Sequence, residues 1–177
     1  MKKVLILAVA AAIVMLVPSF ASAQTATGTL TVTATVQGSI GLVFNSDVAG
    51  VALGGSGTPN ATLAFGTVSA FGAIAVPNVV RTVAANSFTV SSAVDVNVTK
   101  TNSASANYKL TAQLGSPDAV NSWQVGGVTV TSASAAPITA TGAYATNVNF
   151  PVAITIPFAT ASGTLISNTI NYTATAN

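Results

Sequence analysis

Residues 29–36 read Thr29-Leu30-Thr31-Val32-Thr33-Ala34-Thr35-Val36, a strict alternation of threonine with an apolar side chain. In an extended chain successive side chains point to opposite faces, so this order gives one apolar face and one hydroxyl face. The stretch decides for β structure, and the same period of two recurs on its carboxyl side. Ile40, Leu42 and Phe44 follow, then Leu63 and Phe65, Phe88 and Val90, then Val94, Val96 and Val98. Tyr108, Leu110, Ala112 and Leu114 form a further set, and Phe150, Val152, Ile154, Ile156 and Phe158 lead towards a last strand between Leu165 and Ala174. Trp123 to Val125 and Val128 to Val130 are separated by Gly126-Gly127, a two-residue hairpin signal because glycine supplies positive φ without steric cost. Helical periodicity is missing. About nine or ten short strands at roughly 8–12-residue spacing predict an antiparallel sandwich or barrel.

The punctuation of the chain agrees with that reading. Thr58-Pro59-Asn60, Val76-Pro77-Asn78 and Ser116-Pro117-Asp118 read as loops, and residues 50–59, rich in glycine and small side chains, as the most mobile of them. Pro151 and Pro157 bracket a strand and predict that it lies near an edge, since proline cannot donate into a ladder. An outer-membrane barrel is a competing architecture, but one Trp, three Tyr and seven Phe are few for two aromatic girdles.

Charge is nearly absent: of 177 residues 50% are hydrophobic and 5% charged, against roughly 25% charged in ordinary globular chains. The whole inventory is Lys2, Lys3, Arg81, Lys100 and Lys109 against Asp47, Asp95 and Asp118, with no glutamate, histidine or cysteine. No Cys/His zinc site, cysteine nucleophile or histidine base can be built, and three scattered aspartates do not readily supply a carboxylate pair. The expectation is a protein that is not an enzyme and holds neither metal nor cofactor.

Met1-Lys2-Lys3 is a positive start, Val4 to Val17 is an apolar run too short to span a bilayer, and Ala21-Ser22-Ala23 is a small-residue cleavage triplet. These features predict a secretory signal peptide over residues 1–23, cut between Ala23 and Gln24, with no membrane span left after cleavage. Removing Lys2 and Lys3 leaves three basic and three acidic residues, so the remaining chain has no electrostatic footprint for nucleic acid or anionic lipid. Its length fits one domain, which holds its core without disulfides despite export.

Single residues with chemical potential read mostly as structural. A Ser-Lys arrangement would have to use Lys100 or Lys109, both at solvated strand positions. Asp47, beside Asn45 and Ser46, fits a turn better than a calcium loop, and Asp118 follows Pro117 in another turn. Asp95, between Val94 and Val96, predicts a solvent-facing gatekeeper against edge pairing. Asn60-Ala61-Thr62, Asn97-Val98-Thr99 and Asn171-Tyr172-Thr173 match the glycosylation triplet at a frequency expected by chance in a threonine-rich chain. Trp123, a conceivable sugar platform, fits a core anchor better at the start of its hairpin.

The feature above background is residues 24–37. The segment is uncharged, and its face of Leu30, Val32, Ala34 and Val36 could either complete its own sheet or add to the open edge of a neighbouring molecule. The opening residues 28–36, Leu63-Ala64-Phe65-Gly66-Thr67-Val68 and the final Ile170-Asn171-Tyr172-Thr173-Ala174-Thr175 resemble the spore coat protein U-like family of secreted pilin subunits, or a related cysteine-free group of bacterial surface β-sandwiches. The Leu63, Phe65, Gly66 motif is the distinctive part. The resemblance implies an immunoglobulin-like antiparallel β-sandwich over residues 38–177, an archaic chaperone-usher fibre with a periplasmic chaperone and an outer-membrane usher as partners, and an amino-terminal strand donated to another copy of the chain. The expected groove is lined by Phe65, Ile154, Ile156 and Tyr172, and the expected address is the bacterial cell surface, reached through the periplasm. The alternative is a monomeric secreted module that binds a cell surface or a carbohydrate.

Overall fold

A computed structural model describes residues 28–177. The expected signal peptide, with Ala21, Ala23 and Gln24 at its cleavage point, lies outside the described residues. Among the described residues there is no helix, and the strands are β1 (Ser39–Ser46), β2 (Val80–Val83), β3 (Ser87–Ser92), β4 (Val94–Thr101), β5 (Tyr108–Leu114), β6 (Ser122–Val125), β7 (Val128–Val130), β8 (Ala136–Gly142), β9 (Asn147–Asn149), β10 (Val152–Pro157) and β11 (Ile170–Ala176). They form three open antiparallel sheets, in the orders β1-β4-β9, β2-β3-β10-β6-β7 and β11-β5-β8. The chain is thus all-β and sandwich-like.

Period-two sequence becomes one apolar core because the middle strand of each sheet turns its alternate side chains inward. Val94, Val96 and Val98 of β4, Tyr108, Leu110, Ala112 and Leu114 of β5, and Val152, Ile154 and Ile156 of β10 belong to a single buried cluster. Trp123 and Val125 of β6 and Phe88 and Val90 of β3 complete it. Full burial of each large apolar side chain contributes about 1.5–3 kcal/mol relative to exposure, so these strands hold the sheets together. The Gly126-Gly127 turn joins β6 to β7 as expected, with φ of 57° and 79°, the doubly positive values that match the twist of a two-residue hairpin.

Four expectations are corrected. The strand bracketed by Pro151 and Pro157 is not at an edge: β10 lies between β3 and β6. Pro151 precedes the ladder and Pro157 ends it opposite Ser87, so neither missing N–H interrupts the pairing. Residues 50–59 are not a loose loop. Val51 and Leu53 are buried, Val51 N donates to Ser92 Oγ at 2.7 Å, and Gly54 and Thr62 exchange backbone bonds of 3.0 and 2.8 Å. Leu63 and Phe65 lie outside any strand, half-buried against the core, because the chain there packs its apolar side chains without a backbone partner. Asp95 does alternate outward, but from the middle strand β4, where it faces Asn45 on one side and Asn149 on the other; it guards no edge.

Tyr108 shows what the core tolerates. Its side chain is fully buried, its hydroxyl has no hydrogen-bond partner among the described residues, and burial, helped by Tyr144, raises its pKa. An unpaired buried hydroxyl contributes a desolvation penalty and no compensating bond. Tyr108→Phe is therefore expected to melt at or above the wild-type temperature. A Cβ at Gly142 would meet the Tyr108 ring, so Gly142→Ala is expected to lose about 1–3 kcal/mol in urea unfolding.

Candidate functional site

The outer strands of the three sheets are β1, β9, β2, β7, β11 and β8, and of these β1 and β11 lie nearest the ends of the described residues. Each pairs on one side only, β1 with β4 and β11 with β5. Their inward side chains, Ile40, Leu42 and Phe44 on β1 and Ile170, Tyr172 and Ala174 on β11, are all half-buried where those of β4 and β5 are buried. The two strands come together at Phe44 and Tyr172, whose rings meet edge to face with centroids 5.0 Å apart. Burial pushes the Tyr172 phenol well above its ordinary pKa.

Backbone direction follows from the hydrogen bonds at the strand ends. Along an antiparallel strand the main-chain groups of alternate residues point to opposite sides. Phe44 N donates to Thr58 O at 3.0 Å, Gly57 N donates to Phe44 O at 2.7 Å, and Ser46 N donates to Ser56 Oγ at 2.9 Å. The even-numbered residues of β1 thus turn their main chain away from β4, and Ile40 and Leu42 do so without a backbone partner outside the sheet among the described residues. On β11, Thr169 O accepts from Gly115 N at 2.7 Å and Asn177 N donates to Asn107 O at 2.9 Å. The odd positions therefore face β5, and Ile170, Tyr172 and Ala174 present unpaired N–H and C=O groups outward. The site is a pair of open strand edges with apolar side chains and with main-chain donors and acceptors on both strands.

The remaining expected site residues fall in several places. Leu30, Val32 and Val36 are 89%, 81% and 74% exposed, Ala34 is exposed, and residues 28–38 form no strand. Ile154 and Ile156 are buried inside β10, between β3 and β6, whereas Tyr172 lies on β11. Gly66 takes a φ of 64°, and a Cβ there would meet Val76 Cγ2 at 2.6 Å. Asp47 Oδ1 accepts from Ala49 N at 2.7 Å, the bond of an Asx turn, while its Oδ2 and Asp95 Oδ1 each accept from Asn149 Nδ2 at 3.2 Å. Lys100 Nζ donates to Ser105 O and lies 4.9 Å from the Tyr144 ring centroid, so its head group meets a carbonyl rather than a serine hydroxyl. Lys109 is exposed on β5 opposite Thr175. Of the three glycosylation triplets, Asn60 and Asn171 are exposed and Asn97 is half-buried in β4.

Trp123 is a core anchor, 5% exposed, and its Nε1 donates to Asp118 Oδ2 at 2.7 Å. Burial alone would raise the Asp118 pKa, but bonds from Asn121 N, Trp123 Nε1, Asn121 Nδ2 and Val120 N outweigh it and hold the carboxyl down at about 2. Reasoning from the sequence missed this pair, and also the aromatic row of Phe71, Phe158 and Phe88. There Phe71 is 72% exposed, with ring centroids of 6.2 Å to Phe158 and 6.4 Å from Phe158 to Phe88. Arg81 holds the Phe71 turn by donating to Ser69 O and Gly72 O, each at 2.9 Å. Also missed were Leu42, Phe44, Ile170 and Ala174 as edge residues.

No protein-family model matches the chain, and no curated protein or solved structure matches it. Among the described residues no helix is long and apolar enough to cross a membrane.

The Asp118 carboxylate gives a pH test. A carboxyl with a depressed native pKa stabilises the fold above its unfolded pKa of about 3.9, and the gain is lost as pH falls from there towards about 2. Asp118→Ala leaves the Trp123 N–H without its acceptor and is expected to cost about 1–3 kcal/mol at neutral pH. Its urea midpoint should converge on that of the wild type as the pH is lowered through this window.

Proposed function

We propose that the chain is a structural subunit of an extracellular fibre or other surface assembly, polymerising by donation of residues 30–36 to an open strand edge of another copy. The observation that carries this reading is the pair of half-covered strands β1 and β11, whose apolar side chains and unpaired main-chain groups ask for one more strand. The segment that would supply it has the right chemistry: Leu30, Val32, Ala34 and Val36 repeat with period two, carry no charge and stand exposed. Strand addition takes its affinity from main-chain bonds and its specificity from alternate side chains in pockets. Each large donor side chain buried there would contribute about 1.5–3 kcal/mol before ordering entropy is subtracted.

The finer parts of the reading rest on the sequence. Export follows from the signal-peptide pattern of residues 1–23, while an immunoglobulin-like sandwich, an address on the bacterial surface and a chaperone and usher as assembly partners follow the resemblance to secreted pilin subunits. No reaction is proposed. The competing reading, a monomeric secreted binding module, is favoured by one observation, the exposed Phe71, whose turn Arg81 holds, beside the exposed Phe158.

Light scattering and thermal unfolding of the chain from Gln24, with and without residues 24–37, separate the two. The fibre reading expects heat-resistant oligomers from the longer chain and an unstable monomer from the shorter, rescued by a synthetic peptide of residues 24–37. A stable monomer at every concentration in both cases would favour the binding module instead.

A further inference from the structure

The free side of β1 is not open along its whole length. Residues 54–62 fold into a small tongue closed by the Gly54 and Thr62 backbone pair, with Thr58 Oγ1 2.7 Å from both Gly55 O and Asn60 O, between which its one hydroxyl proton is shared. Its tip lies against β1 and takes both main-chain groups of Phe44, through Thr58 O and Gly57 N, while Ser56 Oγ takes the N–H of Ser46. The contact repeats at the two positions of one parity and stops there; Ile40 and Leu42, next along the same side, have no such partner among the described residues. Gly57 can make its bond only in the conformation that it adopts, with a φ of 83°, and a proline at that position would lack both the N–H and that φ.

We propose that residues 54–62 are a register stop for the incoming strand: by occupying the main chain of Phe44 and Ser46, they confine pairing along β1 to Ile40 and Leu42. The proposal rests on the donor-strand reading and names its acceptor positions. A period-two segment can slip by two residues without moving its apolar face, so alternation alone leaves the register of Leu30, Val32, Ala34 and Val36 undetermined. A physical block at one end of the edge removes that freedom. Every subunit added then advances the assembly by the same amount.

The chain contains no cysteine, which permits a clean disulfide scan in the full-length protein. One set of copies carries Leu30→Cys, Val32→Cys, Ala34→Cys or Val36→Cys, and a second set carries Leu42→Cys or Phe44→Cys. Mixed pairs are assembled, oxidised and resolved without reductant. Side chains opposite one another on adjacent strands stand about 4.5–5.5 Å apart at Cβ, just beyond the roughly 3.5–4.5 Å of a disulfide, so a small local shift lets directly opposite positions bridge while offset ones stay apart. The expected result is a linked pair between Leu42→Cys and one donor position, and none with Phe44→Cys. Adding Gly57→Pro to the acceptor should make Phe44→Cys link as well. Ser46→Cys, also behind the tongue, serves as a second position should Phe44→Cys fail to fold, and it too should stay unlinked until Gly57→Pro is added.

Linking at Phe44→Cys or Ser46→Cys as readily as at Leu42→Cys with the tongue intact would overturn the stop and leave strand donation standing. So would continued silence there in the Gly57→Pro background while Leu42→Cys still links. Absence of any link between copies at Leu42→Cys, or a link formed only within one copy, would overturn strand donation itself and the stop with it.

Discussion

A β-strand with a neighbour on one side leaves half of its main-chain groups unpaired, and the architecture of this protein depends on where those halves lie. The middle strands β4, β5 and β10 are paired on both sides and bury their inward side chains almost completely. Their pairing and their packing are the same fact seen twice, since a strand flanked by two others has no route for water to its inner face. At β1 and β11 both conditions relax together. The side chains are half-buried because no further strand covers them, and the main chain is unpaired for the same reason.

Exposed edges invite unwanted association, and proteins commonly blunt them with charges, prolines or covering loops. This chain uses such devices unevenly. On β2, one of the two outer strands of the five-stranded sheet, Arg81 places a cation at the edge and binds it to the 69–72 turn. On β1 the tongue of residues 54–62 covers Phe44 and Ser46. Ile40, Leu42 and the outward main chain of β11 have neither device. The contrast matters because charge was available so sparingly: three aspartates and three basic residues remain in residues 28–177, and one of the latter, Arg81, lies on the outer strand β2.

The sequence was legible wherever burial on one face dictated alternation. Val94, Val96 and Val98, Tyr108 to Leu114 and the Gly126-Gly127 hairpin all lie where their spacing predicts strands or a turn. Two kinds of information were not. Alternation cannot tell a central strand from an edge strand, which is why Pro151 and Pro157 suggested an edge for β10 although both fall at its ends. Nor does period two require a strand in the chain that carries it: residues 29–36, the clearest alternation of all, form none. Specific side-chain contacts, such as Trp123 with Asp118 across a turn or Phe44 with Tyr172 between two sheets, leave no periodic trace.

That last mismatch bears on the choice between readings. An alternating segment without charge has a reason to keep its apolar face only if some surface covers it, because four exposed apolar side chains in a row otherwise add risk of aggregation and no stability. The segment stands exposed, and β1 and β11 each leave one edge unpaired beside half-buried apolar side chains. A partner bound through ion pairs would need charges on this surface, and the chain offers almost none. Main-chain bonding with apolar side chains in pockets is the mode of recognition that such a composition can support. On the proposed reading the sparse charge, the unpaired edges and the unused alternation share one explanation in place of three.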